Sequence, residues 1–110
     1  MHYRFQLVIS CFCPFQEVMP VTVEVQNGSI LSLTDVNGQP LDEQFRATFE
    51  EAATVEGLFS LAAEALKDAD KVTVTYDPNL GIPVSIDIDW IELAIDDEIS
   101  YHVRGFEALP

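Results

Sequence analysis

The chain has 110 residues, of which 48% are hydrophobic, so it can bury the core of one domain and is too apolar to stay disordered. Acidic residues outnumber basic ones 19 to 5, which gives a formal net charge of −14. This charge repels phosphate backbones and anionic lipid headgroups, so we expect no nucleic-acid partner and consider lipid headgroups poor partners. We predict a single domain over residues 1–110, with no direct membrane insertion, because no apolar run approaches the length of a membrane span.

The N-terminal stretch alternates between apolar and polar residues, which predicts a half-buried strand. Pro14 lacks an amide hydrogen and is expected to end the strand. Val8 and Phe12 lie on the otherwise polar face, and we expect the segment of Phe45 and Phe49 to cover them. The apolar face comprises Tyr3, Phe5, Leu7, Ile9, Cys11 and Cys13.

Cys11 and Cys13 are the only cysteines, and three interpretations compete: buried thiols, a mutual disulfide or a two-thiolate metal site. Residues two apart in a strand lie roughly 6.5 Å apart at Cα, so a disulfide requires a bend, which Pro14 makes easy. Structural zinc usually takes four ligands, and no second cysteine pair exists, which disfavours metal. The disulfide and the buried thiols stay equally favoured.

A β-hairpin is predicted around Asn27-Gly28, between two alternating apolar runs. A two-residue turn would place Val23 opposite Ser32 and mix the two faces. A three-residue loop over residues 26–28, with a left-handed glycine, instead pairs Val23 with Leu31. Because the hydrophobic pattern sets the register, we predict the three-residue loop.

The middle of the chain is predicted to be helical. Asp42-Glu43 suits the start of a short helix, in which Phe45 and Phe49 lie one turn apart. A longer helix begins after Thr54, a plausible N-cap, and its apolar stripe is expected to pack on a sheet. The stripe consists of Val55, Leu58, Phe59, Ala62, Leu66 and Ala69.

Three more alternating segments follow, over residues 71–76, 84–90 and 99–104. They predict strands with one solvated face, as in antiparallel sheets. The fold class is therefore α+β: a mostly antiparallel six-stranded sheet, ordered as three strands, helix, three strands, with one principal helix packed on one face. The expected inward residues are Val72, Val74, Tyr76, Val84, Ile86, Ile88, Trp90, Ile99, Tyr101 and Val103.

Several motifs together resemble an uncharacterised bacterial family, catalogued as a domain of unknown function and frequent in exported proteins and lipoproteins. The resemblance covers nearly the whole chain, and it implies an extracytoplasmic location but no activity and no site residues. The chain departs from the family by an alanine-rich approach to the helix over residues 46–53 and by carrying no export signal. The motifs are Tyr3-Arg4-Phe5, Ser10-Cys11-Phe12-Cys13-Pro14, Val23 to Gly28, Thr54 to Phe59, Tyr76 to Pro83, Ser85 to Asp89 and Asp96 to Tyr101.

Carboxylates cluster in the second half of the chain. Asp87 and Asp89 share the outward face of one predicted strand, and Asp96 and Asp97 lie in the loop that follows. Hard cations such as calcium take several carboxylate and carbonyl oxygens, so these four residues are a candidate weak calcium site. No EF-hand spacing is present, and a solvated charge run is the favoured interpretation.

Basic residues also point outward by alternation. Arg4, His102 and Arg104, together with His2, fall on the same side as Asp87 if the sheet is continuous. Cross-strand ion pairing is the favoured interpretation, and the alternative is a binding face formed by Arg4, His102 and Arg104. No serine-histidine-acid order and no glycine-rich phosphate loop is present, so we expect no enzymatic activity.

The leading hypothesis is thus a non-catalytic extracytoplasmic module that binds a protein partner or has a structural role in the envelope. The alternative is a weak divalent-cation binding domain that uses Asp87, Asp89, Asp96 and Asp97. A redox or hydrolytic enzyme that uses Cys11 and Cys13 is a third and less favoured class. Apart from calcium, we expect no cofactor.

Overall fold

A computed structural model of the chain describes residues 1–11, 15–91 and 98–110. The described residues form six strands, two α-helices and a short 3₁₀ turn at Gln16–Val18. The elements are β1 His2–Ser10, β2 Val21–Gln26, β3 Ser29–Thr34, α1 Glu43–Glu50, α2 Val55–Asp68, β4 Lys71–Tyr76, β5 Pro83–Asp89 and β6 Glu98–Leu109.

The strands form one antiparallel sheet in the order β3-β2-β1-β6-β5-β4, which confirms the predicted α+β class. Each half of the chain contributes three consecutive strands. The halves join at the centre, where β1 pairs with β6 over most of its length. A bulge at Gly105, whose φ is +61°, shifts the register of this pair between Arg4 and Gln6. Strands β3 and β4 are the two edges of the sheet.

Both helices lie against one face of the sheet, here called the inner face. No polar or charged side chain of the described residues is buried in the core. The Val55 amide, the first of α2, donates a hydrogen bond of 2.9 Å to the Tyr3 hydroxyl and so ties the helix to the central strand. The largest fully buried side chains include Tyr3, Phe5, Leu7, Ile9, Val21, Val23, Val25, Phe49, Leu58 and Ile86.

Both helices begin where the sequence predicts. The Asp42 carboxylate accepts a hydrogen bond from the Gln44 amide, and the Thr54 hydroxyl accepts one from the Gly57 amide. Each cap satisfies an amide that has no partner within its helix. The same short polar side chains that signal a helix start in the sequence therefore perform the capping in the structure.

The predicted hairpin register is wrong. The loop has two residues, Asn27 and Gly28, with φ of +53° and +79°. Two left-handed residues match the twist of the flanking strands, which favours this turn over the longer one. Leu31 is then the extra residue of a bulge in β3, and Val23 pairs with Leu33 rather than with Leu31. The faces stay unmixed because the bulge absorbs one residue within the strand.

Three residues that we expected in the core are exposed: Phe59 (43%), Leu66 (62%) and Tyr76 (46%). Helix α2 buries Leu58, Ala62 and Ala65, so its buried face is narrower than the apolar stripe. Tyr76 lies at the end of β4, an edge strand without any buried residue.

The prediction that the segment of Phe45 and Phe49 covers Val8 is also wrong. Phe45 and Phe49 pack edge-on against Phe15, with ring centroids 5.8 and 5.0 Å apart, and belong to the core of the inner face. Val8 pairs with His102 on the opposite face and does not join this core. Phe12 lies outside the described residues.

Candidate binding face of the sheet

The face opposite the helices, here called the outer face, is mainly polar. Along each strand, residues on this face alternate with buried residues of the inner face. Cross-strand pairing places outer-face residues of neighbouring strands beside one another across the sheet. Its members include His2, Arg4, Gln6, Val8, Ser10, Thr22, Glu24, Gln26, Ser32, Thr34, Lys71, Thr73, Thr75, Ser85, Asp87, Asp89, Glu98, Ser100, His102, Arg104, Glu107 and Leu109.

Basic groups concentrate on the outer face, although the chain is strongly acidic. Three of the five lysine and arginine residues and both histidines belong to it, whereas Arg46 lies on α1 and Lys67 on α2. Five carboxylates share the face, including Glu24 and Asp87, so its formal charge is −2 when the histidines are counted as neutral. The net charge of −14 is therefore spread unevenly over the molecule.

Several of these groups are paired. Arg4 donates to Glu107 at 3.0 Å, and His2 Nε2 lies 2.8 Å from Glu24 Oε2. The Arg4 and Glu107 side chains are both largely exposed, so their ion pair contributes less than about 1 kcal/mol to stability. The predicted cross-strand pairing of outward charges is confirmed for these residues.

Unlike Arg4, Arg104 has no ion-pair partner among the described residues. It lies opposite Gln6 near the centre of the outer face and is exposed. Among residues 1–11, 15–91 and 98–110, no carboxylate lies within 4.0 Å of its guanidinium group. Its five N–H donors are therefore available to a ligand.

His102 contacts two residues of β5, an arrangement that the sequence analysis missed. Its Nδ1 lies 3.4 Å from the Ser85 hydroxyl, and its Nε2 lies 3.7 Å from Asp87. The Ser85 hydroxyl also donates to Asp87 at 3.3 Å. These distances are longer than the roughly 2.6–3.2 Å of a close hydrogen bond between a base and a hydroxyl, so the three side chains form a loose polar cluster.

The predicted carboxylate pair is on the outer face, as expected. Asp87 is exposed, and Asp89 is half-buried beside a cavity of about 220 Å³ that Lys71 and Glu98 also line. The Asp89 Oδ1 atom is buried and has no hydrogen-bond partner. The other two candidate ligands, Asp96 and Asp97, lie outside the described residues. In the described part of the chain, no group of three or more histidine, cysteine, aspartate or glutamate residues could hold a metal ion.

A second cavity, of about 370 Å³, lies between α2 and the sheet, with Trp90 and Tyr101 in its lining. Burial, reinforced by the negative charges of Glu51 and Glu64, raises the pKa of Tyr101 to about 12. The phenol therefore stays neutral at physiological pH and does not act as a base there.

The predicted cysteine pair is only partly described. Cys11 follows β1 and packs, half-buried, against the core, as the alternation predicts. Cys13 lies outside the described residues, so the choice between a disulfide and two thiols stays a prediction.

Comparison with known proteins identifies the family. The chain matches DUF6174, a family of unknown function, over residues 1–108 and therefore belongs to it. No curated protein and no solved structure matches the chain significantly. Neither helix of the described residues has the length and apolar composition of a membrane-spanning helix.

Proposed function

We propose that this member of the DUF6174 family is a non-catalytic extracytoplasmic module that binds a protein partner through the outer face of its sheet. The observation that carries the proposal is the concentration of basic side chains on this face of an acidic chain. The helices cover the inner face, so the outer face is the broad surface of the sheet that a partner can reach.

The composition of the outer face suits a protein better than other ligands. It combines arginines, carboxylates and many hydroxyl groups, and protein interfaces are enriched in arginine and depend on matched charges. Its carboxylates outnumber its lysine and arginine side chains, which disfavours a phosphate backbone. Arg104 is the main candidate for contact with the partner, because its guanidinium group can bind a carboxylate through two hydrogen bonds. Arg4 and His102 flank it.

The proposed extracytoplasmic location rests on the sequence resemblance to exported proteins. It predicts that the protein encoded by the complete gene is recovered from the periplasm, the envelope or the medium. Recovery from the cytoplasm alone would contradict it. A structural role in the envelope is compatible with the same surface, because such a role also requires a protein contact.

A capture experiment with matched variants tests the proposed face. Wild type, Arg104→Glu and Lys67→Glu are immobilised and exposed to envelope extract at low salt. Both substitutions change the charge by the same amount at an exposed site, but Lys67 lies on α2. We expect wild type and Lys67→Glu to retain a common partner that Arg104→Glu loses. Equal capture by the two variants, or no captured partner, would contradict the proposal.

A weak calcium site is the second candidate function, and the buried Asp89 Oδ1 without a partner is the observation that favours it. A carboxylate oxygen removed from water without a hydrogen bond is costly, and a cation would relieve that cost. If calcium binds the native state only, Tm rises with calcium concentration. We expect Asp89→Asn to lose this rise and Asp68→Asn, on α2, to keep it. An unchanged wild-type Tm at millimolar calcium would remove this candidate.

A further inference from the structure

The two edge strands of the sheet differ in how accessible they are for pairing with a further strand. Edge strand β3 carries the bulge at Leu31, and Thr34 at its end forms a bridge with Pro40. Edge strand β4 pairs with β5 on one side, and the register shift in this pair, between Thr75 and Tyr76, places its extra residue in β5, so β4 itself is regular. No strand of the described residues pairs with the other side of β4. It reads Lys-Val-Thr-Val-Thr-Tyr, with β-branched residues at four of its six positions and a single charge. Regular strands of this composition readily pair with a further strand unless bulges or charges prevent it.

An exposed apolar strip borders this open edge. Phe59 of α2 packs against Tyr76 of β4, with ring centroids 6.4 Å apart, and both rings are nearly half exposed. Leu66 lies seven residues after Phe59, hence on the same side of the helix, and is 62% exposed. Phe59, Leu66 and Tyr76, which were predicted to lie in the core but are exposed, are thus grouped along one margin of the molecule.

We propose that two copies of this chain associate through their β4 strands, antiparallel about a two-fold axis at Val74. The pairing would join the two sheets into one of twelve strands, and α2 of each copy would flank the junction on the inner face. Tyr76 and Phe59 would then lie against apolar side chains of the second copy rather than against water.

The sequence of β4 fits one self-pairing register. With Val74 opposite itself, Val72 lies opposite Tyr76 of the second copy, and Thr73 lies opposite Thr75. All inner-face residues then meet inner-face residues, which antiparallel pairing requires. Lys71 comes opposite Asp77 of the second copy, so the ends of the pairing have complementary charges. A shift by one residue mixes the faces, and a shift by two separates Lys71 from Asp77.

The overall charge of −14 opposes association of two copies, and this gives the proposal a specific salt dependence. Added salt screens the long-range repulsion between the copies, whereas the apolar and backbone contacts at the junction are little affected. Association should therefore strengthen as ionic strength rises, which is opposite to what a contact held mainly by ion pairs would show.

Sedimentation velocity over a range of protein and salt concentrations tests the association. We expect a monomer–dimer equilibrium that shifts to the dimer at high salt. Tyr76→Ser and Phe59→Ser should each raise the dissociation constant at least about tenfold. Leu31→Ser, at a similarly exposed apolar site of β3, should leave it unchanged. A monomer under all conditions, or a dimer that tolerates Tyr76→Ser, would overturn the proposal; Tm measurements confirm that each variant is folded.

Oxidative cross-linking tests the register. Val74→Cys places two thiols opposite each other at the two-fold axis, whereas Val72→Cys places each thiol opposite a tyrosine. We expect a covalent dimer with Val74→Cys well above the background of wild type, which already contains Cys11 and Cys13. Stronger cross-linking with Val72→Cys than with Val74→Cys would refute this register.

Discussion

The two faces of the sheet have different roles: the inner face stabilises the fold, and the outer face is the proposed binding surface. The inner face buries Phe5, Leu7, Val23 and Phe49 completely and contains no buried charge among the described residues. The outer face carries exposed ion pairs and hydroxyl groups that each contribute little to stability. Substitutions on the inner face should therefore strongly destabilise the protein, and substitutions on the outer face should change its binding with little effect on stability.

The largest expected effect belongs to the inner face. Phe49 is fully buried and packs edge-on against Phe15. Phe49→Ala removes a large buried ring and leaves a cavity, so we expect a loss of about 3–5 kcal/mol in the free energy of unfolding. Urea denaturation followed by circular dichroism measures this loss. A loss below 1 kcal/mol would show that α1 contributes little to the core.

The next largest effect is expected at alkaline pH, where ionisation of Tyr101 should lower the stability. The pKa of Tyr101 is about 12 in the folded state because of its burial, against 10.0 as the ordinary value. Below pH 10 the phenol is neutral in both states and has no effect on stability. Between pH 10 and 12 the unfolded state releases the proton more readily, so stability falls by about 2–3 kcal/mol.

The matched variant for this titration is Tyr101→Phe, which keeps the ring and removes the ionisable group. Unfolding free energies of both proteins at several pH values separate this phenol from all other titrating groups. The decline of wild type relative to the variant should be confined to the range above pH 10. Parallel curves would show that Tyr101 ionises equally in the folded and unfolded states.

Loss of the hydrogen bond between Tyr3 of β1 and Val55 of α2 should have an intermediate effect on stability. Tyr3→Phe removes the hydroxyl that accepts the Val55 amide and leaves this donor without its partner. We expect a loss of about 1–2 kcal/mol, since an unpaired amide at a part-buried site is costly. Hydrogen exchange should also show faster exchange in the first turn of α2. An unchanged stability would indicate that water replaces the hydroxyl at no cost.

The smallest effect should come from the outer face. Arg4→Ala breaks the ion pair with Glu107, in which both side chains are exposed. We expect a change of less than about 1 kcal/mol, which screening by salt reduces further. The same denaturation experiment at low and high salt measures it. A loss as large as that of Phe49→Ala would contradict the claim that the inner face, and not the outer face, supplies most of the stability.

Local sequence signals predicted the elements and the two faces. Period-two alternation assigns residues to a face without knowledge of the strand order, which is why Arg4, His102 and Arg104 were placed correctly together. The caps at Asp42 and Thr54 were likewise visible, because a cap and its amide are close in the chain. These features depend on residues within a few positions of one another.

Features that depend on distant residues could not be predicted. The pairing of β1 with β6 joins residues about a hundred positions apart, and no local pattern encodes it. The contact of Ser85 with His102 depends on the register between β5 and β6. The exposure of Phe59 and Leu66 depends on the rotation of α2 over the edge of the sheet, which an apolar stripe alone does not fix.

Site-specific photo-cross-linking tests most directly whether the outer face is the binding surface. A photoreactive residue is placed either at Gln6, exposed at the centre of the outer face, or at Ala47, exposed on α1. Irradiation in envelope extract should yield a covalent adduct with one protein from the Gln6 position and none from Ala47. Adducts from Ala47 alone would contradict the account.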